Sequence, residues 1–267
     1  MGKRTLRTDP VGEKVSLGEV DPSDTSGMTE DDAKEALAKD VKRLSELHDL
    51  LYANQSKALL VVLQGMDTSG KDGTIRHVLQ GLSPQGTVVN SFKQPSAEEL
   101  AHDFLWRIHR RVPPRGTIGI FNRSQYEDVL IVRVHGEISE KKAHQRLRAI
   151  RHFERHLADE DVVIRKFFLH ISKDEQERRL KERLDQPGKH WKLSASDFAE
   201  RKRWDEYQAA YEDAMRRTST QHAPWYVIPA DHKWYRNLCV AQVLVKALED
   251  LKMDWPPAGE EIEALTT

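Results

Sequence analysis

The densest chemistry in this 267-residue chain lies in one short stretch, Gly65-Met66-Asp67-Thr68-Ser69-Gly70-Lys71-Asp72-Gly73-Thr74. A glycine, four residues, then glycine and lysine is the P-loop spacing, in which backbone N–H groups and a helix N-terminus cradle phosphate oxygens. The glycines permit positive φ and close backbone approach, and Lys71 adds a mobile positive charge. Two features depart from the pattern. The position after the lysine, where a hydroxyl would hold magnesium, is Asp72, and a hydroxyl returns only at Thr74. An acid, Asp67, stands inside the loop, where it would repel phosphate unless it holds Mg²⁺ or accepts a proton from a reacting phosphate. Handling of phosphoryl groups is the chemistry expected.

Such a loop works only if a strand delivers it and a helix follows. The apolar run 59–63 is of strand length, and a helical pattern covers 71–82. Upstream, Thr29 followed by Glu30, Asp31 and Asp32 marks a helix start, with Ala33, Leu37, Val41, Leu44 and Leu51 at helical spacing. Further strands are expected at 87–92, 117–121, 162–169 and 224–229, with helices at 97–111, 141–157, 173–184 and 233–251. Strands alternating with helices predict an α/β fold with a parallel sheet covered on both faces. Parallel sheets place ligands at the carboxyl ends of their strands, so Asn122-Arg123-Ser124-Gln125-Tyr126-Glu127-Asp128, just after the third strand, should lie near the loop.

A chain of this length can bury one large core. Net charge is −1, which implies no bulk attraction to nucleic acid or a membrane. No stretch is long and apolar enough to span a bilayer. The single cysteine, Cys239, excludes an internal disulfide framework and suits the cytoplasm. Residues 1–28 read as an extended arm, 29–256 as one domain, and 257–267 as an acidic, loose tail. Between 178 and 203 the charge departs from the average: nine basic residues against four acids give +5. Pro187-Gly188 breaks a helix there, and 194–197 offers a new start. Two basic arms around a turn suggest a lid, at about 178–222, closing over an anionic ligand. A solvated hairpin laced with i,i+4 ion pairs is the alternative.

Several pieces together resemble the polyphosphate kinase 2 family. Besides the loop they are Phe92-Lys93-Gln94-Pro95, His102-Asp103-Phe104-Leu105-Trp106-Arg107, the 121–128 segment, Asp185-Gln186-Pro187-Gly188-Lys189-His190-Trp191-Lys192, Ala223-Pro224-Trp225-Tyr226 and Ala230-Asp231-His232-Lys233-Trp234-Tyr235. They run in family order over roughly four-fifths of the chain. The resemblance implies a P-loop kinase-like parallel sheet flanked by helices, akin to thymidylate kinase, with a helical lid. It also implies Mg²⁺-dependent phosphoryl transfer between inorganic polyphosphate and a nucleotide, AMP or ADP. A homo-oligomer, dimer or tetramer, is expected.

Carried over by position, the resemblance makes Asp67 and Lys71 the essential acid and lysine of the loop, and Arg123 the arginine of the second motif. Arg183 falls where the family places a catalytic arginine in the lid. Many members begin the second motif with Asp-Arg; here Asn122 leaves Asp67, with Glu127 or Asp128, to organise magnesium. Phosphate and nucleotide contacts are expected from Gly65, Met66, Thr68, Ser69, Gly70, Asp72, Gly73, Thr74, Lys93, Asn122, Glu127 and Asp128. A linear polyanion without bases needs a basic track, for which Arg178, Arg179, Lys181, Lys189 and Lys192 are the candidates. An ATP-dependent nucleoside monophosphate kinase is the alternative enzyme on the same fold, and a non-catalytic nucleotide-binding module a third reading.

Overall fold

The computed structural model describes residues 8–12, 14–192 and 195–257. Five strands, β1 (Ala58–Gln64), β2 (Thr87–Ser91), β3 (Ile118–Asn122), β4 (Val162–His170) and β5 (Trp225–Pro229), pair in parallel in the order β2-β3-β1-β4-β5. Both β1 and β4 are largely apolar because they are covered on both faces; every residue of β1 is buried. The register sets Leu63 of β1 beside Asn122 of β3 and Phe167 of β4, so the segments that leave these strands emerge together.

The crossover from β1 to β2 runs one way along the sheet and those from β3 to β4 and β4 to β5 run the other. Right-handed connections then put their helices on opposite faces. On one face α10 (Lys233–Glu249) packs with α1 (Glu30–Asn54) and α2 (Lys71–Val78); on the other α5 (Glu127–Val134), α6 (Glu140–Asp159) and α9 (Trp204–Thr218) pack together. Thr29 caps α1 by accepting from the Asp32 N–H at 3.2 Å. No helix among the described residues is long and apolar enough to cross a membrane.

Several boundaries differ from expectation. The helix expected over 97–111 is two short ones, α3 (Ala97–Leu100) and α4 (Trp106–His109). Ser96 and Glu99 close a capping box on α3, and Asp103 Oδ1 accepts from the Leu105 N–H at 3.0 Å, restarting the chain in place of a continuous helix. The expected helix 71–82 ends at Val78, and Gly81, at φ +98°, turns the chain out. Helix α5 was not anticipated; its β-branched sequence is a poor helix signal, but burial of Val129, Leu130 and Val134 against α6 and α9 fixes it.

The segment between β4 and β5 contains α7 (Lys173–Asp185), a 3-10 turn at Pro187–Lys192, α8 (Ala195–Arg201) and α9. Although α9 lies within the 178–222 range expected for the lid, it belongs to the body: Trp204, Tyr207, Tyr211, Ala214 and Met215 are buried in the core. The expected extended arm is bound to the body through its described residues, 8–12 and 14–28. Val11 N–H donates to Trp225 O, Leu17 N–H to Glu212 Oε1, and Asp231 N–H to Pro22 O, while Leu17 is buried. Residues 1–7 of the arm, Ser194 and, apart from Pro257, the tail 257–267 lie outside the described residues.

Candidate active site

The end of β1 turns into the loop through Gly65 at φ +149°, where a Cβ would fall 2.8 Å from Leu169 O. Thr68 is at φ +64° and so is Arg123, each costing on the order of 1 kcal/mol for a non-glycine residue, a strain that concentrates at functional sites. The Ser69 N–H closes onto Met66 O at 3.1 Å, and α2 begins at Lys71. Thr68 Oγ1, Ser69 Oγ and Thr74 Oγ1 are buried and make no hydrogen bond among the described residues. Buried hydroxyls of this kind normally have partners, and that of Thr68, which lines both recesses at the loop, is placed to meet polar ligand atoms.

Lys71 is buried in this loop, its Nζ donating to Gly65 O at 2.7 Å and Met66 O at 3.3 Å. Burial, with the charge of Arg123 acting in the same direction, lowers its pKa to about 8. Arg123, at the end of β3, donates to Asp67 Oδ1 at 2.8 Å and to Glu127 Oε2 at 3.2 Å. Glu127 and then Asp67 hold its charged form strongly. The same turn brings Asn122 Nδ2 to 2.8 Å from Asp72 Oδ1. The two motifs are thus joined through side chains.

Asp128, expected with Glu127 beside a metal, faces elsewhere. Buried Arg107 of α4 donates to Asp128 Oδ2 at 2.8 Å and to Lys93 O at 2.8 Å, tying the start of α5 to the segment after β2. Asp128 is therefore a fastening for the Lys93 segment. No group of three or more His, Cys, Asp or Glu side chains arranged to hold a metal ion occurs among the described residues.

Two recesses meet at the loop. One, of about 570 Å³, is bounded by Asp67, Lys71, Asp72, Asn122 and Arg123 on its floor, by Lys93, Ser91 and Phe92 on the β2 side, and by Arg183, Trp191 and Asp197 above. The other, of about 330 Å³, is lined by Arg76, His77, Arg179, Glu182, Lys189, Lys233 and Arg236. Thr68, Gly70, Gly73 and Arg183 line both. Glu182 is the lone acid in the second recess, and the Lys189 ammonium, bonded to it at 2.9 Å, holds its pKa below the ordinary value.

Of the residues expected along a basic track, Arg179 and Lys189 line the second recess, and Arg183, expected as the catalytic arginine, lines both. Arg178 pairs with Glu175 at 2.6 Å and Lys181 with Glu177 at 2.7 Å on exposed faces of α7, and neither lines a recess at the loop. Arg179 is a strut: it donates to Glu175 Oε1, Thr68 O, Ser69 O, Ala230 O and Asp231 O, which engages its whole fork. The Lys192 side chain lies outside the described residues.

Four contributors have no site role in the sequence analysis. Gln176 Nε2 donates to Asp67 O at 3.1 Å, and Phe92 and Trp191 give the first recess two aromatic surfaces. Arg236 is buried behind the loop and donates to Ser69 O at 3.0 Å. Phe92 and Trp191 carried a signal in the pieces 92–95 and 185–192, and Arg236 did too: an arginine just before the apolar run 238–241 of α10 needs a buried acceptor.

Comparison with known proteins bears on this site. The Polyphosphate kinase 2 (PPK2) profile matches residues 27–256. An AMP/ADP-polyphosphate phosphotransferase of Meiothermus ruber is 53% identical over 255 residues, covering 95% of both chains. An ADP-polyphosphate phosphotransferase of Rhodopseudomonas palustris is 50% identical over 261 residues, covering 92% of this chain and 89% of the relative. A crystal structure of Polyphosphate Kinase 2 from Arthrobacter aurescens TC1 superposes with a TM-score of 0.94 at 46% identity, over 98% of this chain and 97% of that one. The sheet, the loop and the flanking helices are accordingly those of a P-loop kinase-like fold, and this chain belongs to the polyphosphate kinase 2 family.

Proposed function

We propose that this chain is a polyphosphate:nucleotide phosphotransferase, moving a phosphoryl group between inorganic polyphosphate and AMP or ADP. The observation that carries the reading is the pair of recesses sharing the loop and Arg183, one with aromatic surfaces and the other almost wholly basic. A nucleotide suits the first, where Phe92 and Trp191 offer faces to a base. A baseless polyanion suits the second, where Arg76, Lys189 and Lys233 offer charge without stacking. The activities for which these relatives are named support the same pair of substrates.

In the forward direction a terminal phosphate oxygen of the nucleotide attacks the end phosphorus of polyphosphate. The P–O bond to the next phosphate breaks, and its oxygen leaves with the shortened chain. Such a transfer needs alignment and charge neutralisation more than covalent help. Lys71 turns from its loop carbonyls to the transferring group, and Arg183, which lines both recesses, neutralises its equatorial oxygens. Arg123 serves the same charge and, through its bond to Asp67, sets where the loop acid sits.

Magnesium belongs to this proposal. It usually takes one or two carboxylates plus substrate phosphates rather than an all-protein cage, which fits a site with Asp67, the Thr68 hydroxyl and, among the described residues, no group of three or more potential metal ligands. Asp67 would hold the ion, and Mg²⁺ would supply neutralisation of phosphate oxygens. A homo-oligomer, dimer or tetramer, is also proposed. The exposed edge strand β2, with Val88 and Val89 open to solvent, supports it, and sedimentation reads it directly. We place the protein in the cytoplasm, consistent with its lone buried cysteine.

The deciding experiment incubates AMP and ADP with polyphosphate and Mg²⁺ and follows products with time, with ATP as the competing donor. Conversion with polyphosphate that ATP cannot replace is the expected result. Conversion with ATP alone would make it a nucleoside monophosphate kinase, and no turnover with either donor a binding module.

A further inference from the structure

Gly70 sits at φ +104°, and a Cβ built on it would fall 1.9 Å from Arg236 NH1. The guanidinium of α10 thus occupies the space that a side chain at position 70 would fill. From there NH1 donates to Ser69 O at 3.0 Å, and Arg179 NH1 reaches the same oxygen at 3.3 Å. The fork is aimed by its neighbour: Asn237 Oδ1 accepts from Arg236 Nε at 3.2 Å and NH2 at 2.9 Å. Ser69 C=O and Gly70 N–H belong to one trans peptide, so they point in opposite directions.

We propose that Arg236 is a positioning residue for transfer: it pins the Ser69–Gly70 peptide so that the Gly70 N–H faces the bound phosphate. Glycine adopts either sign of φ with little cost, so an unpinned peptide at this position can turn over and present a carbonyl oxygen to the anion. Glycine is required twice here, by its φ and by the guanidinium in its side-chain space. Burial and then the neighbouring Arg179 both disfavour the charged form of Arg236, yet its NH1 stays within 3.0 Å of Ser69 O.

The inference rests on the loop being the phosphate site, so Lys71→Ala is measured beside the Arg236 variants. Arg236→Gln should lower kcat for polyphosphate-driven ADP phosphorylation by about 10²-fold, the scale of one misdirected oxyanion donor. It should also weaken calorimetric binding of tripolyphosphate, and its crystal structure should show the 69–70 peptide turned over. Arg236→Lys should recover part of kcat, because an ammonium reaches Ser69 O but cannot be aimed by Asn237. Asn237→Ala, which keeps the charge and frees the fork, should fall in the same direction and carries the test if Arg236→Gln does not fold. An inactive Lys71→Ala beside Arg236→Gln or Asn237→Ala with normal kcat and an unmoved peptide would overturn the proposal alone. A fully active Lys71→Ala would overturn the phosphate-loop reading, and this proposal with it.

Discussion

Alkaline pH should disable catalysis through Lys71 first. Its pKa lies at about 8 against an ordinary 10.5, a difference on the order of 3 kcal/mol between its charged and neutral forms. Burial is the main cause and Arg123 adds to it. Only the ammonium can neutralise a phosphoryl oxygen, so kcat/KM for polyphosphate should fall about tenfold per pH unit above about 8. The substrates ionise near pH 6, so their own titration falls below this window. A bound polyanion favours the ammonium, so kcat should hold to higher pH than kcat/KM. Stability runs the opposite way. The folded-state pKa is the lower one, so the penalty of burying the ammonium is fully present below about 8 and is relieved as pH rises toward 10.5. Initial rates from about pH 6.5 to about 10, with Lys71→Arg in parallel, test this, because a guanidinium keeps its proton and should move the limb upward. A kcat/KM flat between 8 and 10, or an unmoved limb in Lys71→Arg, would refute the reasoning.

Three further outcomes are expected. Asp67→Asn, which keeps an acceptor for Arg123 but loses the charge, should abolish transfer, while Asn122→Asp stays measurably active with a shifted Mg²⁺ optimum; wild-type turnover and unchanged Mg²⁺ dependence in Asp67→Asn would make the acid structural. Added salt should raise KM for polyphosphate, and Lys189→Ala with Lys233→Ala should raise it more than KM for ADP, since exposed charges are screened within about 10 Å at 0.1 M; equal effects on both substrates would argue against a basic track. Lys166 and Glu154, buried and 2.5 Å apart, form an ion pair in the core. Lys166→Met should therefore destabilise by about 3–5 kcal/mol in chemical denaturation, and Lys166→Met with Glu154→Leu by clearly less. A double variant no more stable than the single would show that the pair is not the reason.

The parts of the site that could be read in advance are those fixed by local geometry. Gly65, Gly70 and Lys71 announce a loop by spacing, and Asn122-Arg123 announces itself by following a strand in a parallel sheet. Contacts made by side chains from distant elements were invisible. Arg179 read as one of nine basic residues on a charged segment, yet it reaches five protein acceptors, among them the backbone of the loop more than a hundred positions away. Asp128 looked like a second acid for a metal, and only packing of α4 on α5 shows that Arg107 holds it. The break between α3 and α4 was missed for a different reason. A single aspartate, Asp103, competes for backbone N–H groups, and periodicity counting does not weigh that competition. The extent of the lid was overread because charge marks 178–203, whereas the following helix is amphipathic and buries tyrosines.

The arm also carries a consequence for how the molecule is made. Residues 8–28 are synthesised before the segments they bind, and most of their partners lie in α9, β5 and α10 or beside them. Leu17 bonds to Glu212, 195 positions on; Ser219 to Val11, 208 positions; Ser26 to Tyr235, 209 positions. At about 5–20 residues per second the arm waits roughly 10 to 40 s for its landing surface to be synthesised. Until then the Leu17 N–H lacks its Glu212 acceptor, and among the described residues only His170 of β4 is there to hydrogen-bond the arm, at Val20 O. Contacts of such long range form slowly even when both ends are present. Seating the arm should therefore be the closing event of folding, timed by completion of α9, β5 and α10 rather than by the order in which the strands appear.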